Sequence, residues 1–364
     1  MNMKLKKDIL IVGVGTIGEP LTRLLVEHKN ELGVGDVYFT KAGPNNLSTV
    51  RMLTETGAKF CVWEDLVPHF EPVLERHNIE ISDTVENVFD KVAVVADCTN
   101  RGNVLKKETY ERLPGPYGFF AQGSEEGFGH PVAFGINDHT LKPGDHKFIQ
   151  VVSCNTHNIL AILRTMRQIG QDIRSADFVL LRRMSDISQF SSAIPSPTVD
   201  KIKEKYGAFG SHQSYDANRV MRTLDYNMEG RLHSTAMKLN NQLMHMNRFR
   251  IEVENAVTVK TVLGALYDDP MMAVSYLDSM NLVFSKGRDH GFYGRIFNQS
   301  VVIRDSVEVS PDGHTIYGTC FTPQDGNSLL TSVAATLWFL DPKSYKKKME
   351  IFNKYLHRFH TIPA

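Results

Sequence analysis

The sequence predicts an α/β protein of two parts, an N-terminal doubly wound parallel sheet and a C-terminal α+β part with a mostly antiparallel sheet. Up to about residue 150, short apolar runs that fit buried strands alternate with segments of helical periodicity, which is typical of a parallel sheet. Beyond that point Arg248-Phe-Arg-Ile-Glu-Val-Glu254 alternates strictly, so one face of its sheet is buried and one is wet. We therefore predict one domain over residues 1–152 and a second over 153–327, followed by helical segments over 328–338 and 343–359.

Charge and cysteine usage argue against several kinds of protein. The 364-residue chain carries 41 basic and 41 acidic residues, so we expect neither a nucleic acid nor a membrane surface as a partner. Four cysteines without CxxC or metal-type spacing favour a reducing compartment over a disulfide framework or a metal site. The first apolar run, Ile9–Val12, does not have the shape of a signal peptide, and no run approaches the ~18 apolar residues of a membrane span. We expect a cytoplasmic protein.

A glycine-rich turn follows the first predicted strand. Ile9-Leu-Ile-Val12 reads as a buried strand, Gly13-Val-Gly-Thr-Ile-Gly18 follows at once, and Leu21, Leu24 and Leu25 then have helical spacing. In G-x-G-x-x-G the first glycine makes the tight turn, the second lets the backbone approach a pyrophosphate, and the third lets the helix pack on the strand. The helix N-terminus takes the negative charge. This Rossmann fingerprint predicts dinucleotide binding by Gly13, Gly15, Thr16, Ile17 and Gly18.

The second strand indicates which dinucleotide is preferred. It ends in Thr40 and Lys41, about twenty residues beyond the fingerprint. An acid at this place suits the ribose 2′-hydroxyl of NAD, whereas a hydroxyl and a cation suit a 2′-phosphate. We therefore predict NADP as the preferred cofactor, with NAD as the alternative; the simpler interpretation of Lys41 is a solvated loop charge. A later buried strand, Val92–Asn100, carries Thr99 at its C-terminal end, where parallel sheets bind ligands.

A cysteine stands where another strand is followed by a helix. The apolar run Lys147–Val152 precedes Cys154, and helical periodicity begins at Ile159. Asn155 and Thr156 are good N-cap residues, so the helix dipole and free N–H groups favour a thiolate. Lowering a thiol pKa from about 8.5 to about 6.5 takes roughly 2.7 kcal/mol, more than a helix terminus supplies, so we expect a histidine nearby. The alternative is that Cys154 is a buried small hydrophobe.

Several motifs occur in one order and together resemble a known family. The motifs are the glycine fingerprint, Thr40-Lys41, Val151-Val-Ser-Cys-Asn-Thr156, Arg182-Arg183 with Asp186, Ser211-His212 with Asp216, and Leu243-Met244-His245. Over essentially the whole chain they resemble the archaeal-type (type II) phosphorylating glyceraldehyde-3-phosphate dehydrogenases. The resemblance implies that a C-terminal helix, 328–364, completes the Rossmann domain. It also implies an oxidoreductase of glycolysis and gluconeogenesis, a cytoplasmic homotetramer that uses NADP or NAD, a small-molecule substrate and inorganic phosphate.

The resemblance also implies roles for individual residues. Cys154 matches the nucleophile that forms a hemithioacetal and then a thioester, and His212 matches the base. Arg182 and Arg183 resemble the family's ligands for substrate and inorganic phosphate, which a guanidinium fork suits well. The remaining matches flank the nucleophile or follow a strand of the Rossmann part: Ser153, Asn155 and Thr156 for the substrate, and Gln122 and Gly123 for a turn near the cofactor.

The sequence departs from the family around its histidines. Many members have two adjacent histidines followed by Gly-Pro-Asp, whereas here one histidine, His212, precedes Gln213-Ser-Tyr-Asp216. His157 lies three residues after Cys154, on the same side of the first helical turn, and is the alternative base. His233 and His245, single histidines in strand-like segments, are interpreted as hydrogen-bonded structural residues.

Three functions fit these features. The first is NAD(P)-dependent phosphorylating oxidation of glyceraldehyde 3-phosphate to 1,3-bisphosphoglycerate, or the reverse reduction. The second keeps the thioester chemistry on another substrate, as a semialdehyde or acyl-phosphate reductase of amino-acid biosynthesis, since the two share this two-domain plan. The third is a non-catalytic NADP-binding regulatory protein.

Overall fold

The computed structural model describes residues 6–185, 194–323 and 326–356, and these form two compact units. The first unit takes in described residues up to 130, then 141–151 and 331–351. The second takes in 131–140, 152–330 and the described residues from 352 onward. Asp186, one of the residues on which the family resemblance rests, lies outside the described residues.

The first half of the chain alternates strands and helices. In order these are β1 (Asp8–Val12), α1 (Gly18–Glu27), α2 (Lys29–Leu32), β2 (Val37–Thr40), α3 (Leu47–Glu55), β3 (Lys59–Val62), α4 (Val67–Leu74), β4 (Asp83–Thr84), α5 (Val85–Phe89), β5 (Val92–Asp97), α6 (Gly102–Glu108), β6 (Gly118–Gln122), β7 (His130–Val132) and β8 (Phe148–Val151).

The second half has longer strands, and helices connect fewer of them. In order these are α7 (Cys154–Gln168), β9 (Ile173–Arg182), β10 (Thr198–Val199), α8 (His212–Arg222), β11 (Leu232–Lys238), β12 (His245–Val253), α9 (Val259–Asp268), β13 (Met272–Ser275), α10 (Met280–His290), β14 (Ser300–Ile303), β15 (Glu308–Val309), β16 (Thr315–Thr322), α11 (Leu329–Leu340), α12 (Tyr345–Met349) and α13 (Asn353–Leu356).

The strands of the first half form one sheet in the order β4-β3-β2-β1-β5-β6-β8-β7. The pairings from β4 through β8 are all parallel. The chain runs outward from β1 to β2 and β3, and later continues from β5 on the other side of β1. The order therefore reverses between β1 and β5, which is where doubly wound sheets bind their ligands.

The second sheet has the order β10-β11-β9-β12-β16-β14-β13, with β15 also paired to β16. Its longest pairings, β9 with β12 and β12 with β16, are antiparallel, and β11 with β9 and β13 with β14 are parallel. The predicted fold class, a doubly wound parallel sheet plus a mostly antiparallel one, is confirmed.

Each unit has its own hydrophobic core. In the first, Tyr110 stacks on Phe119 with ring centroids 5.1 Å apart beneath β5 and β6. In the second, α7 packs on the sheet, where Phe178 of β9 and Phe249 of β12 are fully buried. Most of the fifteen residues of α7 are buried, polar ones included, so those polar groups require partners inside the protein.

The C-terminal region over 328–364 forms more than one helix. The described part of this region contains α11, α12 and α13 as separate helices. Pro342 has no N–H to continue α11 and disfavours helical geometry at Asp341, so α11 ends at Leu340. Residues 357–364 lie outside the described part.

Across the described residues, no helix has the length and apolar character needed to cross a membrane. All four cysteines are free thiols. In the same described ranges, no three His, Cys, Asp or Glu side chains form a group suited to a metal ion.

Candidate active site

Two glycines of the turn after β1, Gly13 and Gly18, cannot be replaced by another residue without strain. Gly13 has a φ of +88°, and a Cβ there would lie 2.7 Å from Cγ2 of Thr99. A Cβ on Gly18, the first residue of α1, would lie 1.9 Å from the backbone oxygen of Gly13. Gly13 and Gly18 therefore allow the helix to start directly against the strand, as expected for the first and third glycines of the fingerprint.

The middle of this turn is open. A Cβ built at Gly15 meets no atom within 4 Å, so the glycine is not required by packing within the protein. The helix α1 begins without a side-chain cap, because Ile17 at the N-cap position makes no side-chain hydrogen bond. Thr16 is half-buried beside it. Backbone N–H groups at an uncapped helix start are suited to an anion such as a pyrophosphate.

Two residues at the end of β2 are suited to a further polar group. Thr40 is 1% exposed, and its hydroxyl has no hydrogen-bond partner within the described part of the chain. The next residue, Lys41, is half-buried, and burial lowers the pKa of its ammonium. An unpartnered hydroxyl beside a partly desolvated cation is a chemical match for a phosphate.

A buried carboxylate holds the turn after β5. Asp97 accepts hydrogen bonds from the backbone N (2.8 Å) and hydroxyl (2.6 Å) of Thr99 and from the hydroxyl of Tyr110 (2.8 Å). Burial raises the pKa of Asp97. Asp97 therefore has a structural role and fixes Thr99 next to Gly13. After β6, the Gln122 amide donates to the hydroxyl of Ser332 at 2.7 Å.

The turn after β8 is capped differently from the sequence-based expectation. The helix α7 begins at Cys154, and Ser153, not Asn155 or Thr156, is its N-cap. Ser153 has extended backbone angles (φ −68°, ψ 161°), and its hydroxyl accepts from the N–H of Thr156 at 3.4 Å. Cys154 thus occupies the first helical position, where the backbone N–H groups still point away from the helix.

The His157 side chain is enclosed by the protein and is not exposed to solvent. Its side chain is fully buried, and its Nδ1 hydrogen-bonds the backbone oxygen of Ser153 at 3.0 Å. Burial lowers the pKa of His157 to about 4, so the ring is neutral at physiological pH. The ring thereby ties the first turn of α7 to the residue that caps it.

Near the start of α7, strand β9 ends and its antiparallel neighbour β12 begins. Phe249 and Asn247 of β12 face α7, and Asn247 donates to the Asn155 side chain at 3.1 Å. His245 is two residues further toward the strand start, on the same face. Since Met246 pairs with Leu181, His245 and Arg182 stand side by side at this end of the sheet.

Two arginines influence the His245 ring. The backbone N–H of Arg183 donates to His245 Nδ1 at 2.9 Å, which leaves the ring proton on Nε2. Burial, followed by the charges of Arg183 and Arg182, holds the pKa of His245 well below its usual range. Arg183 is itself buried, with a guanidinium nitrogen 3.4 Å from the oxygen of Leu243.

His212 lies at the start of α8, close to the same place. The Thr156 hydroxyl donates to the oxygen of Gln213 at 3.4 Å, so the first turns of α7 and α8 are in contact. Burial, with the nearby charge of Arg182, lowers the pKa of His212 to about 4. Arg182 also pairs with the carboxylate of Asp200.

The second unit therefore brings most of the predicted substrate residues to one end of its sheet. Ser153, Cys154, Asn155 and Thr156 start α7, and Arg182, Arg183 and His212 lie around that start. Sequence reasoning interpreted His245 only as a hydrogen-bonded structural residue, a bond the structure contains, and gave Asn247 no role. The available signal was their spacing: both share the alternation of Phe249, so they are polar residues on a buried strand face.

The fold and these residues define a two-unit α/β protein with a Rossmann-type sheet and a cysteine at a strand-to-helix turn. The chain is 28% identical over 323 residues to a glyceraldehyde-3-phosphate dehydrogenase of Archaeoglobus fulgidus, covering 86% of this chain and 87% of that protein. It is 27% identical to the enzyme of that name from Pyrobaculum calidifontis (85% and 86% covered) and 26% to that from Methanococcoides burtonii (82% and 85%). No protein-family model matches the chain.

Proposed function

We propose that this chain is an NAD(P)-dependent oxidoreductase that oxidises glyceraldehyde 3-phosphate to 1,3-bisphosphoglycerate with inorganic phosphate, or carries out the reverse reduction. The observation that carries the proposal is Cys154 at the first position of α7, capped by Ser153, with Arg182 and His212 around the same end of the sheet. Similarity to glyceraldehyde-3-phosphate dehydrogenases over most of the chain supports it.

The first unit would hold the dinucleotide. Its pyrophosphate suits the open turn at Gly15 and the uncapped start of α1, and Thr16, Ile17, Thr99, Gln122 and Gly123 border that end of the sheet. Thr40 and Lys41 suit a 2′-phosphate, so we assign NADP as the preferred cofactor over NAD. When bound, the dinucleotide accepts the hydride of the oxidation.

Cys154 would carry the substrate carbon. Its thiolate adds to the aldehyde carbon and forms a hemithioacetal, whose hydroxyl then loses its proton as the hydride leaves, giving a thioester. An oxygen of inorganic phosphate attacks the thioester, the C–S bond breaks, and the acyl phosphate departs while the thiolate is regenerated. The positive end of the α7 dipole would stabilise the developing oxyanion.

His212 would take the proton from the hemithioacetal hydroxyl. Its lowered pKa keeps the ring neutral at physiological pH, as a proton acceptor must be, and a bound phosphate would offset the Arg182 charge that contributes to the lowering. Arg182 and Arg183 would bind the phosphate groups. His157 is less suited because its ring is engaged with the backbone of Ser153.

The decisive experiment is the initial rate of NADPH formation from glyceraldehyde 3-phosphate, with and without inorganic phosphate or arsenate, and with NAD in parallel. We expect a rate that depends on phosphate and is higher with NADP. No rate with either cofactor despite tight NADP binding would overturn the proposal. The same assay with amino-acid semialdehydes then tests the alternative substrate class, and a chain inactive with every aldehyde is a non-catalytic dinucleotide-binding protein.

A pair of variants assigns the base. We expect His212→Asn to lower kcat about a hundredfold or more, in the range of a lost general base. His245→Asn is the matched comparison, because His245 stands at the same end of the sheet. A larger loss in His245→Asn than in His212→Asn would move the base to His245.

The homotetramer and the cytoplasmic location remain predictions from the resemblance. Light scattering on the purified chain tests the first, since a tetramer of 41.1 kDa subunits differs clearly in mass from a dimer or monomer.

A further inference from the structure

A fully buried amide contacts the first turn of the cysteine helix. Asn247 has 0% exposure, and its Nδ2 lies 3.1 Å from Asn155 Oδ1, 3.2 Å from Asn158 Oδ1 and 2.8 Å from Thr322 Oγ1. Asn155 and Asn158 are three residues apart and so share one side of α7. One donor group therefore connects two side chains of the helix to both neighbouring strands, β12 and β16.

A second buried amide contacts the nucleophile's own backbone. The Nδ2 of Asn327, also fully buried, donates to the carbonyl oxygen of Cys154 at 2.9 Å and to that of Gln299 at 3.1 Å. Asn158 in turn donates to the hydroxyl of Ser300 at 2.8 Å. Amide groups from several parts of the second unit thus fix the start of α7 at the one residue that is proposed to react.

A structural role alone does not require this arrangement. The far end of α7 is held by other means, with Arg164 and Thr165 both bonded to the buried carboxylate of Asp269. The middle of the helix is apolar and packs on Phe178 and Phe249. The other buried polar residues of α7, at positions 155–158, all follow Cys154 directly, in the part of the helix that sets the direction of the Cys154 side chain.

We infer that Asn247 is a positioning residue for Cys154, which orients the first turn of α7 through Asn155 and Asn158 and so sets the reactivity of the thiol. Asn327 assists through its hydrogen bond to the Cys154 carbonyl. The inference rests on Cys154 being the nucleophile of the proposed function. Catalytic geometry is sensitive to displacements of about 1 Å, which cost on the order of a hundredfold in rate.

The test is Asn247→Leu, which removes the donor and nearly preserves side-chain volume. We expect the alkylation rate of Cys154 by iodoacetamide, measured on the folded protein at neutral pH, to change at least about threefold. We expect kcat to fall about tenfold or more while the KM for the dinucleotide stays unchanged. If Asn247→Leu is not recovered folded, Asn247→Ala also removes the donor, in a smaller side chain, and carries the same test.

Thr165→Val is the matched control, because it removes a buried hydrogen bond from the other end of the same helix. We expect it to lower the Tm without changing the alkylation rate or kcat. The inference is overturned if Asn247→Leu behaves like Thr165→Val, with a lower Tm and unchanged thiol reactivity. Alkylation needs no substrate, so a wild-type chain inactive on glyceraldehyde 3-phosphate would overturn the proposed function and leave this result interpretable.

Discussion

The glycine turn after β1 and the cysteine turn after β8 are both strand-to-helix turns, but they are built by opposite means. The first uses backbone freedom: Gly13 and Gly18 remove steric obstacles, and no side chain caps α1. The second uses side chains: Ser153 caps α7, and Asn247 and Asn327 hold its first turn. The difference fits the proposal that the first turn faces a ligand, whereas the second is fixed from within so that one side chain is presented.

The substitution Cys154→Ser should affect turnover and cofactor binding most differently, because it changes the cysteine turn alone. A hydroxyl does not form the thiolate on which the proposed chemistry depends, so turnover should fall about ten-thousandfold or more. Dinucleotide affinity, measured by fluorescence titration with NADPH, should stay within about twofold of the wild-type value, because the glycine turn is untouched. Residual turnover above about one per cent would show that Cys154 is not the nucleophile.

The glycine turn is expected to fail in two distinct ways, depending on which glycine is changed. Gly18→Ala puts a methyl group 1.9 Å from the backbone oxygen of Gly13, so we expect a loss of about 3 kcal/mol or more in unfolding free energy. Gly15→Ala meets open space and should leave the urea midpoint nearly unchanged while weakening NADP binding. Equal losses of stability in both variants would contradict the view that only Gly15 is reserved for a ligand.

These two turns also differ in how far sequence reasoning reached. The requirement at each glycine is local, since the strand, the spacing and the helix all lie within about twenty residues, and the turn was predicted in its correct context. Ser153 was missed as the cap because Asn155 and Thr156 are equally good N-cap residues and nothing local decides among the three. Asn247 contacts a residue 92 positions away, so only the paired strands reveal it.

Acid should destabilise the folded protein through His157 at the cysteine turn. His157 contributes to this because its pKa is lowered by burial from 6.5 to about 4, so the unfolded chain binds a proton that the folded one does not. The stability is therefore full above about pH 6.5 and falls as the pH decreases toward 4, by at most about 1.4 kcal/mol per pH unit for this group.

Urea unfolding between pH 7.5 and pH 4.5 in about half-unit steps measures this slope. In His157→Asn the slope should be smaller by about one proton per molecule, whereas His139→Asn, a surface histidine, serves as the control and should keep the wild-type slope. A wild-type slope in His157→Asn would mean that other buried histidines, such as His245, account for the acid sensitivity.

The smallest expected effect concerns Lys41 and tests whether the glycine turn and the end of β2 form one binding site. Removing the half-buried cation in Lys41→Ala should raise the NADP dissociation constant about tenfold or more, the range of a lost charge-assisted hydrogen bond, and leave the NAD constant within about twofold. Lys59→Ala is the matched control, because Lys59 already pairs with Asp36 in the same unit. If Lys41→Ala weakens the binding of NADP and NAD equally, Lys41 does not contact the 2′-phosphate specifically. Any preference for NADP over NAD must then come from a residue other than Lys41, such as Thr40.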